Sequence, residues 1–143
     1  MLISLAVVIV IGLVLKFTIW KTPQVVTGGL YAMQNEDRTY NIAKILKVDE
    51  HAVHLRIYKN VFNERPTSVD PGALTISMSQ EDLEAIGRGE KITFGIGHVP
   101  IDKNGFWKSN PIFIMQTMVT EEELDGYNYW KNGEEEQDPA VIN

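Results

Sequence analysis

The N-terminal part of the chain is an almost unbroken run of apolar side chains. Residues 2–15 contain only Ser4 and Gly12 outside the apolar set, and after Lys16 the apolar pattern resumes as far as Trp20. About 20 helical residues cross the roughly 30 Å hydrocarbon core of a bilayer. We therefore predict one transmembrane anchor in residues 1–21, with its lipid contact through residues 2–20. Representative anchor residues are Leu2, Val8, Leu13, Lys16, Trp20 and Lys21.

Two alternatives to an uncleaved anchor fit the sequence less well. A secretory signal peptide needs a basic stretch before the apolar run and a small-residue cleavage site after it, whereas here Phe17, Trp20 and Pro23 follow the run. A helix that is apolar on every face also fits poorly into the core of a small soluble domain. Because Lys16 and Lys21 both follow the apolar run of residues 2–15, the positive-inside rule predicts a single-pass protein of the plasma membrane whose domain faces the cytoplasm.

The residues after the anchor have the period of β-strands. Residues 22–29 contain Pro23 and a glycine pair, which is typical of a linker, and alternation of apolar and polar side chains predicts strands at 30–33, 40–48 and 53–58. The last of these is expected to be half-buried. Its predicted inward side chains are Val53, Leu55 and Ile57, and its predicted polar face is His54, Arg56 and Tyr58.

The remainder of the domain, predicted to span residues 30–131, mixes strands with two helices. We expect further strands at 73–78, 92–96 and 111–119, a bend at 97–100 and a turn region at 102–110. Ser79 is expected to cap a short helix that ends at Gly87 or Gly89. Thr120 is expected to cap a second helix that ends at the pair Asn132-Gly133, and residues 132–143 are expected to form an acidic, flexible tail. The predicted class is mainly β (α+β), as a small barrel or a bent antiparallel sheet.

Two resemblances bear on this prediction. The segment Gly29-Leu30-Tyr31 and the two strands after it resemble the first half of an SH3-like or Tudor-like β-barrel, which implies a binding function. Residues 29–32, residues 53–60 with the Arg65-Pro66 pair, and residues 95–100 are similar to small uncharacterised bacterial membrane-anchored proteins. This second resemblance implies a bacterial source and brings no catalytic residue with it.

The charge distribution argues against nucleic acid as a partner. Residues 121–143 hold eight acidic side chains against the single base Lys131, while residues 22–120 are nearly neutral. Such a chain lacks the basic surface that neutralises phosphates. It also contains no cysteine, which removes disulfides, thiolate metal sites and a cysteine nucleophile.

Histidine is the most reactive side chain type that remains. We interpret His51 as a turn residue, His54 as an exposed or partner-facing residue, and His98 as part of a structural bend among glycines. Metal-ligand spacings, phosphate-binding loops and nucleophile elbows are absent from the sequence. We therefore predict no cofactor, no metal and no catalytic residue, and we keep an enzyme that uses His98 with a carboxylate as an alternative.

The hypothesis that the sequence favours is a membrane-tethered protein-interaction domain, acting as an accessory subunit or adaptor of a bacterial membrane complex. The long connection at 60–72 suggests an arginine and aromatic patch of the kind enriched at interfaces. An inhibitor or immunity-type protein with an acidic end is a further alternative. Tyr127 and Trp130 are expected to pack on their own domain. The predicted partner-binding residues are Arg56, Tyr58, Phe62 and Arg65.

Overall fold

Within residues 24–137 the chain forms one five-stranded antiparallel sheet, flanked by three helices. The structure, a computed structural model, describes residues 24–137, with side chains through residue 133. The strands are β1 (Gly29–Gln34), β2 (Tyr40–Val48), β3 (Ala52–Phe62), β4 (Ile96–Asp102) and β5 (Ile112–Gln116), in the order β4-β3-β2-β1-β5. The helices are α1 (Gln80–Gly87), α2 (Lys103–Lys108) and α3 (Glu121–Gln137), and Pro71–Ala73 forms a 3-10 turn.

The first three strands follow the sequence prediction closely. Asp49 makes the β2–β3 connection tight, because its carboxylate accepts from the backbone N–H groups of His51 and Ala52 at 2.9 and 2.7 Å. Strand β3 runs on to Phe62, so the first residues of the predicted 60–72 loop are strand.

Both faces of the sheet are covered, and for this reason the prediction of a half-buried β3 was wrong. On one face, Tyr31, Ile45, Val53 and Leu55 pack with Phe106 of α2. The other face is covered by α3 and by the chain between β3 and β4, whose Val69, Leu74 and Ile76 pack on a second apolar cluster. His54 therefore lies fully buried, and its interpretation as an exposed or partner-facing residue was also wrong.

The chain between β3 and β4 contains neither of the two strands predicted there. Residues 74–78 run beside β3, where the backbone N–H of Lys59 donates to the carbonyl of Thr75, but they form no ladder of their own. Residues 91–95 are also irregular. A Cβ at Gly95 would lie 2.3 Å from the Cα of Ile76, so only glycine permits these two segments to approach this closely.

The predicted bend at 97–100 is strand β4, and the predicted turn region at 102–110 contains helix α2. Pro100 is tolerated within β4 because this strand lies at the edge of the sheet. Asp102 caps α2 by accepting from the backbone N–H of Gly105 at 2.8 Å. The short helix turns Phe106 completely into the core.

The two predicted helix starts are confirmed, and one predicted helix end is wrong. Ser79 and Asp82 form the reciprocal capping box of α1, and Thr120 and Glu123 form the equivalent pair at the start of α3. Gly89 has the left-handed backbone expected beyond α1, with φ of +73°. Helix α3 continues through Asn132-Gly133 to Gln137, so residues 132–137 of the predicted tail are helical.

The predicted anchor residues lie outside the described part of the chain. These are Leu2, Val8, Leu13, Lys16, Trp20 and Lys21. Of the helices formed by residues 24–137, none combines the length and the hydropathy needed to span a bilayer. Residues 24–29 of the predicted linker are tied to the sheet, because the Gly28 N–H donates to the Ile45 carbonyl at 2.7 Å.

Candidate functional site

A row of polar side chains lies between the sheet and helix α3, with Lys44 and His54 buried and His98 half-buried. Strands β2, β3 and β4 contribute Lys44, His54 and His98, and α3 lies across them. A buried polar group costs free energy unless it is hydrogen-bonded. The partners of these three side chains therefore decide what the row can do.

The two histidines form a hydrogen-bonded chain that ends on a carboxylate. His54 Nε2 lies 2.6 Å from Asp49 Oδ2, and His54 Nδ1 lies 3.0 Å from His98 Nε2. Because the Asp49 carboxylate can only accept, His54 Nε2 donates to it. In a neutral His54, Nδ1 then accepts from His98 Nε2–H, which leaves His98 Nδ1 as the unprotonated nitrogen.

Aromatic rings of α3 enclose the histidine pair. The His54 and His98 rings are nearly parallel, at 9°, with centroids 5.2 Å apart, and the Tyr127 and Trp130 rings lie 4.8 and 4.7 Å from the His54 ring. A Cβ at Gly126 would lie 2.6 Å from the His98 Cβ, so glycine allows the helix to approach β4 closely. This packing is the one predicted for Tyr127 and Trp130.

The enclosure changes the proton affinity of the site. Burial and the neighbouring His54 lower the pKa of His98 below its usual value. The hydrogen bond from His54 lowers the pKa of Asp49 to about 2, and the backbone N–H groups of the β2–β3 turn add to this effect. At neutral pH the chain is therefore anchored by a charged carboxylate and ends in a neutral His98.

A buried ion pair closes the other end of the row. Lys44 Nζ donates to both carboxylate oxygens of Glu123, at 2.9 and 2.8 Å, and to the carbonyl of Met118 at 2.6 Å. The Lys44 and Arg56 charges and the hydrogen bonds from Lys44 and Thr120 outweigh burial and lower the pKa of Glu123. This pair fastens the start of α3 to the middle of the sheet.

The predicted partner-binding residues do not share one free surface. Tyr58 is buried, and its pKa is raised by burial and by the nearby Glu123. Phe62 packs against the second apolar cluster, and Arg65 lies over the Tyr40 ring at 5.2 Å. Arg56 is half-buried, and its Nε makes no hydrogen bond within the described residues. Their role in binding a partner remains a prediction.

A separate cleft opens at the end of the sheet where β3 finishes. Its volume is about 510 Å³, and it is lined by the β1–β2 turn, by Val61 and by residues 91–94. Val61 and Phe94 expose 45% and 56% of their surfaces. The sequence signal for this cleft was weak, because Val61 and Phe94 fall in segments that were predicted as loop and as strand.

The wall of this cleft is held in place by an amide network. Asn35 Nδ2 donates to Thr39 Oγ1 at 2.9 Å and to Asn41 Oδ1 at 2.6 Å. Asn41 Nδ2 in turn donates to the carbonyls of Tyr58 and Asn60 at 3.0 and 3.1 Å. The β1–β2 turn is therefore fixed against the last residues of β3.

Neither a metal-binding cluster within residues 24–137 nor similarity to a known protein points to a function. Within residues 24–137, no group of three or more His, Asp or Glu side chains is arranged to hold a metal ion. Comparisons with protein families, curated proteins and solved structures find no match. Function must therefore be inferred from the histidine chain and the open cleft.

Proposed function

We propose that this chain is a membrane-tethered protein-interaction domain, an accessory subunit or adaptor of a bacterial membrane complex. Residues 2–20 would hold the domain at the plasma membrane, with Lys16 and Lys21 keeping it on the cytoplasmic side. Tethering raises the effective concentration of the domain near membrane partners. A modest contact surface is then sufficient to bind such a partner.

The observation that carries the proposal is the open cleft with its exposed Phe94 and Val61. Large apolar side chains at this level of exposure around a concave surface are typical of a binding site. The amide network of Asn35 and Asn41 fixes one wall before any partner binds. A preformed wall lowers the ordering cost of association.

The charges at the rim indicate the kind of segment that fits. Hydrogen bonds from Thr39 lower the pKa of Asp37, and the positive charge of Lys91 across the cleft adds to this, so the carboxylate is ionised at neutral pH. Glu36 adds a second exposed carboxylate to the lining. We expect a partner segment that places an apolar side chain between Val61 and Phe94 and a basic side chain near Asp37.

The test is recovery of partners with the full-length chain after gentle detergent extraction from its native membranes. Phe94→Ala is expected to reduce recovery of a stoichiometric partner severalfold, because it removes the most exposed apolar contact of the cleft. The matched control is Leu83→Ala on α1, since Leu83 is exposed to a similar extent, 52%, and does not line the cleft. Equal recovery with both variants would refute the assignment of the cleft.

A comparison with the arginine and aromatic patch belongs in the same experiment. Arg56→Ala combined with Phe62→Ala tests the surface expected from the sequence. Because Phe62 packs on the buried cluster of Leu30, Ala32 and Ile42, this double variant also lowers stability, and its folding must be measured alongside. Loss of the partner with a folded Arg56/Phe62 variant and not with Phe94→Ala would move the binding surface to that patch.

We further propose that the sheet belongs to the SH3-like or Tudor-like barrels. Three features support this assignment: β1 to β4 form a consecutive meander, β5 returns to pair with β1, and bulges interrupt the β1–β5, β2–β3 and β3–β4 pairings. Bulges bend strands and increase their twist, as closure of a sheet requires.

A second candidate is acid–base catalysis by His98, favoured by its connection through His54 to the Asp49 carboxylate. An imidazole oriented by a second group is the usual arrangement of a general base. The test is hydrolysis of a panel of esters and phosphoesters by the purified chain. Activity that disappears in His98→Gln would support this candidate, and an inactive wild-type chain, or activity unchanged by the substitution, would refute it.

The inhibitor hypothesis remains a prediction about the acidic end. It requires that deletion of residues 134–143 abolish binding to a basic partner. A truncated chain that binds as the full chain does would exclude it.

A further inference from the structure

A second, smaller cleft is almost entirely apolar. Its volume is about 220 Å³, and Trp107 of α2 and Ile112 and Phe113 of β5 form its outer side. These three side chains expose 38%, 42% and 48% of their surfaces. Phe113 also contacts the buried Tyr31 ring edge to face at 5.5 Å, so the patch is anchored in the core.

The cleft lies where the chain leaves the domain toward the predicted membrane anchor. Gln24 and Val26 line it, and Gln24 is three residues beyond Lys21. Three residues of extended chain reach at most about 10 Å. The end of the predicted span is therefore held within that distance of Gln24.

Residues 25–28, through which the chain leaves the domain, are tied to the sheet. The backbone N–H of Val26 donates to the hydroxyl of Tyr31 at 3.0 Å, and Val25 packs against the first apolar cluster. Gly28 donates to the Ile45 carbonyl and accepts from the Thr117 N–H at 2.8 Å. Because residues 25–28 are tied to the sheet and Gln24 is only three residues beyond Lys21, a tethered domain is restricted in how far it can turn from the bilayer.

We propose that the face formed by Trp107, Ile112 and Phe113 lies in the lipid headgroup region, with its apolar side chains reaching the acyl boundary. This inference rests on the membrane tether of the proposed function. Exposed apolar and aromatic side chains together with lysines are typical of surfaces that bind the membrane interface. Lys108 follows Trp107 on α2, and Lys21 precedes the exit, so both provide positive charge for anionic headgroups.

The absence of cysteine from the sequence makes a site-specific test direct. The full chain with Ile112→Cys is labelled with an environment-sensitive fluorophore and reconstituted into vesicles of phosphatidylcholine and phosphatidylglycerol. The matched control is Leu83→Cys, an exposed apolar position that does not line the cleft. The label at 112 is expected to shift its emission to the blue and to be quenched severalfold more strongly by nitroxide lipids than the label at 83.

The outcomes separate this inference from the tether on which it rests. A chain that does not float with the vesicles refutes the tether. A chain that floats, but whose label at 112 is as exposed to water as that at 83, refutes the docked face alone. If the label at 112 is shielded without quenching by lipid nitroxides, and unlabelled Ile112→Cys chains form disulfide dimers, the face contacts a second copy and the lipid assignment is wrong.

Discussion

The side chain of His98 links the buried histidine chain to the pH of the medium. Because the pKa of His98 is lowered in the folded state, the unfolded chain takes up this proton first as the pH falls below the ordinary value of 6.5. The contribution of a neutral His98 to stability is therefore complete above that value and is lost as the pH falls toward the folded-state pKa. Asp49 acts in a lower window, since its pKa is lowered from 3.8 to about 2.

We expect the unfolding temperature of the full-length chain to fall as the pH is lowered from about 7.5 to about 5. His98→Gln removes the titrating group and is expected to flatten the curve in this range, while the further loss below about pH 4 persists, because Asp49, Asp82 and Glu123 all have lowered pKa values. The pH dependence of the unfolding temperature is measured for the wild type and for His98→Gln by near-ultraviolet circular dichroism in a mild detergent. A His98→Gln curve parallel to that of the wild type above pH 5 would show that His98 is not the source.

Substitution of Lys44 and substitution of Glu123 are expected to lower the free energy of unfolding by different amounts. Removing one partner of a buried pair costs about 3 to 5 kcal/mol, because the other charge is left uncompensated. Lys44→Met leaves Glu123 facing Arg56, whereas Glu123→Leu leaves both Lys44 and Arg56 without their acid. We therefore expect Glu123→Leu to reduce the free energy of unfolding more than Lys44→Met.

The double variant Lys44→Met/Glu123→Leu completes this cycle. Apolar replacement of both partners removes most of the uncompensated charge, so the double variant is expected to be more stable than Glu123→Leu alone. Denaturant unfolding of the four full-length chains gives the coupling energy. Additive losses would contradict the coupling of Lys44 with Glu123, and a larger loss in Lys44→Met would contradict the role assigned to Arg56.

At the level of the elements, helix α3 covers the polar row of Lys44, His54 and His98. Its two glycines, Gly126 and Gly133, have different surroundings. A Cβ at Gly126 would meet the Cβ of His98, while a Cβ at Gly133 meets nothing within 4 Å. Alanine is favoured over glycine inside a helix by about 1 kcal/mol. Gly126→Ala is expected to destabilise the chain by pushing α3 away from β4, and Gly133→Ala is expected to stabilise it by up to about 1 kcal/mol. Unfolding temperatures of the two variants test this, and the same direction of change in both would contradict the packing of α3 on His98.

The sequence was sufficient for elements whose side chains alternate or whose ends are capped. Strand β2 and the capping residues Ser79 and Thr120 were found in this way. Strand β4 and helix α2 were missed because Pro100 and Gly105 indicate breaks when considered locally. Their conformations depend on an edge position in the sheet and on the burial of Phe106, neither of which is encoded in neighbouring residues.

The candidate sites required contacts across long separations in the chain. His54 and His98 are 44 residues apart, and the helix that buries His54 begins at Glu121. The alternation of β3 placed His54 correctly opposite Leu55, but it could not show that α3 covers that face. The Tyr127 and Trp130 pair was the available signal, since two large aromatics on one helix face require a surface to pack on.

For the whole molecule, we propose a membrane tether that enters the domain near Gln24 and a partner-binding cleft around Phe94. The two surfaces are separate sets of residues, so one can contact the bilayer while the other holds a partner. The layer beneath α3 connects this helix to the sheet. Two separate surfaces are what the proposed adaptor would need.

The most direct test of this account is photo-crosslinking in cells from position 94. A photoreactive phenylalanine analogue replaces Phe94 in the full-length chain, with the analogue at Leu83 as the matched exposed position. The account predicts a discrete adduct with one protein from position 94 in the membrane fraction, and none from position 83. Absence of an adduct at 94, the same adducts from both positions, or adducts confined to the soluble fraction would contradict it.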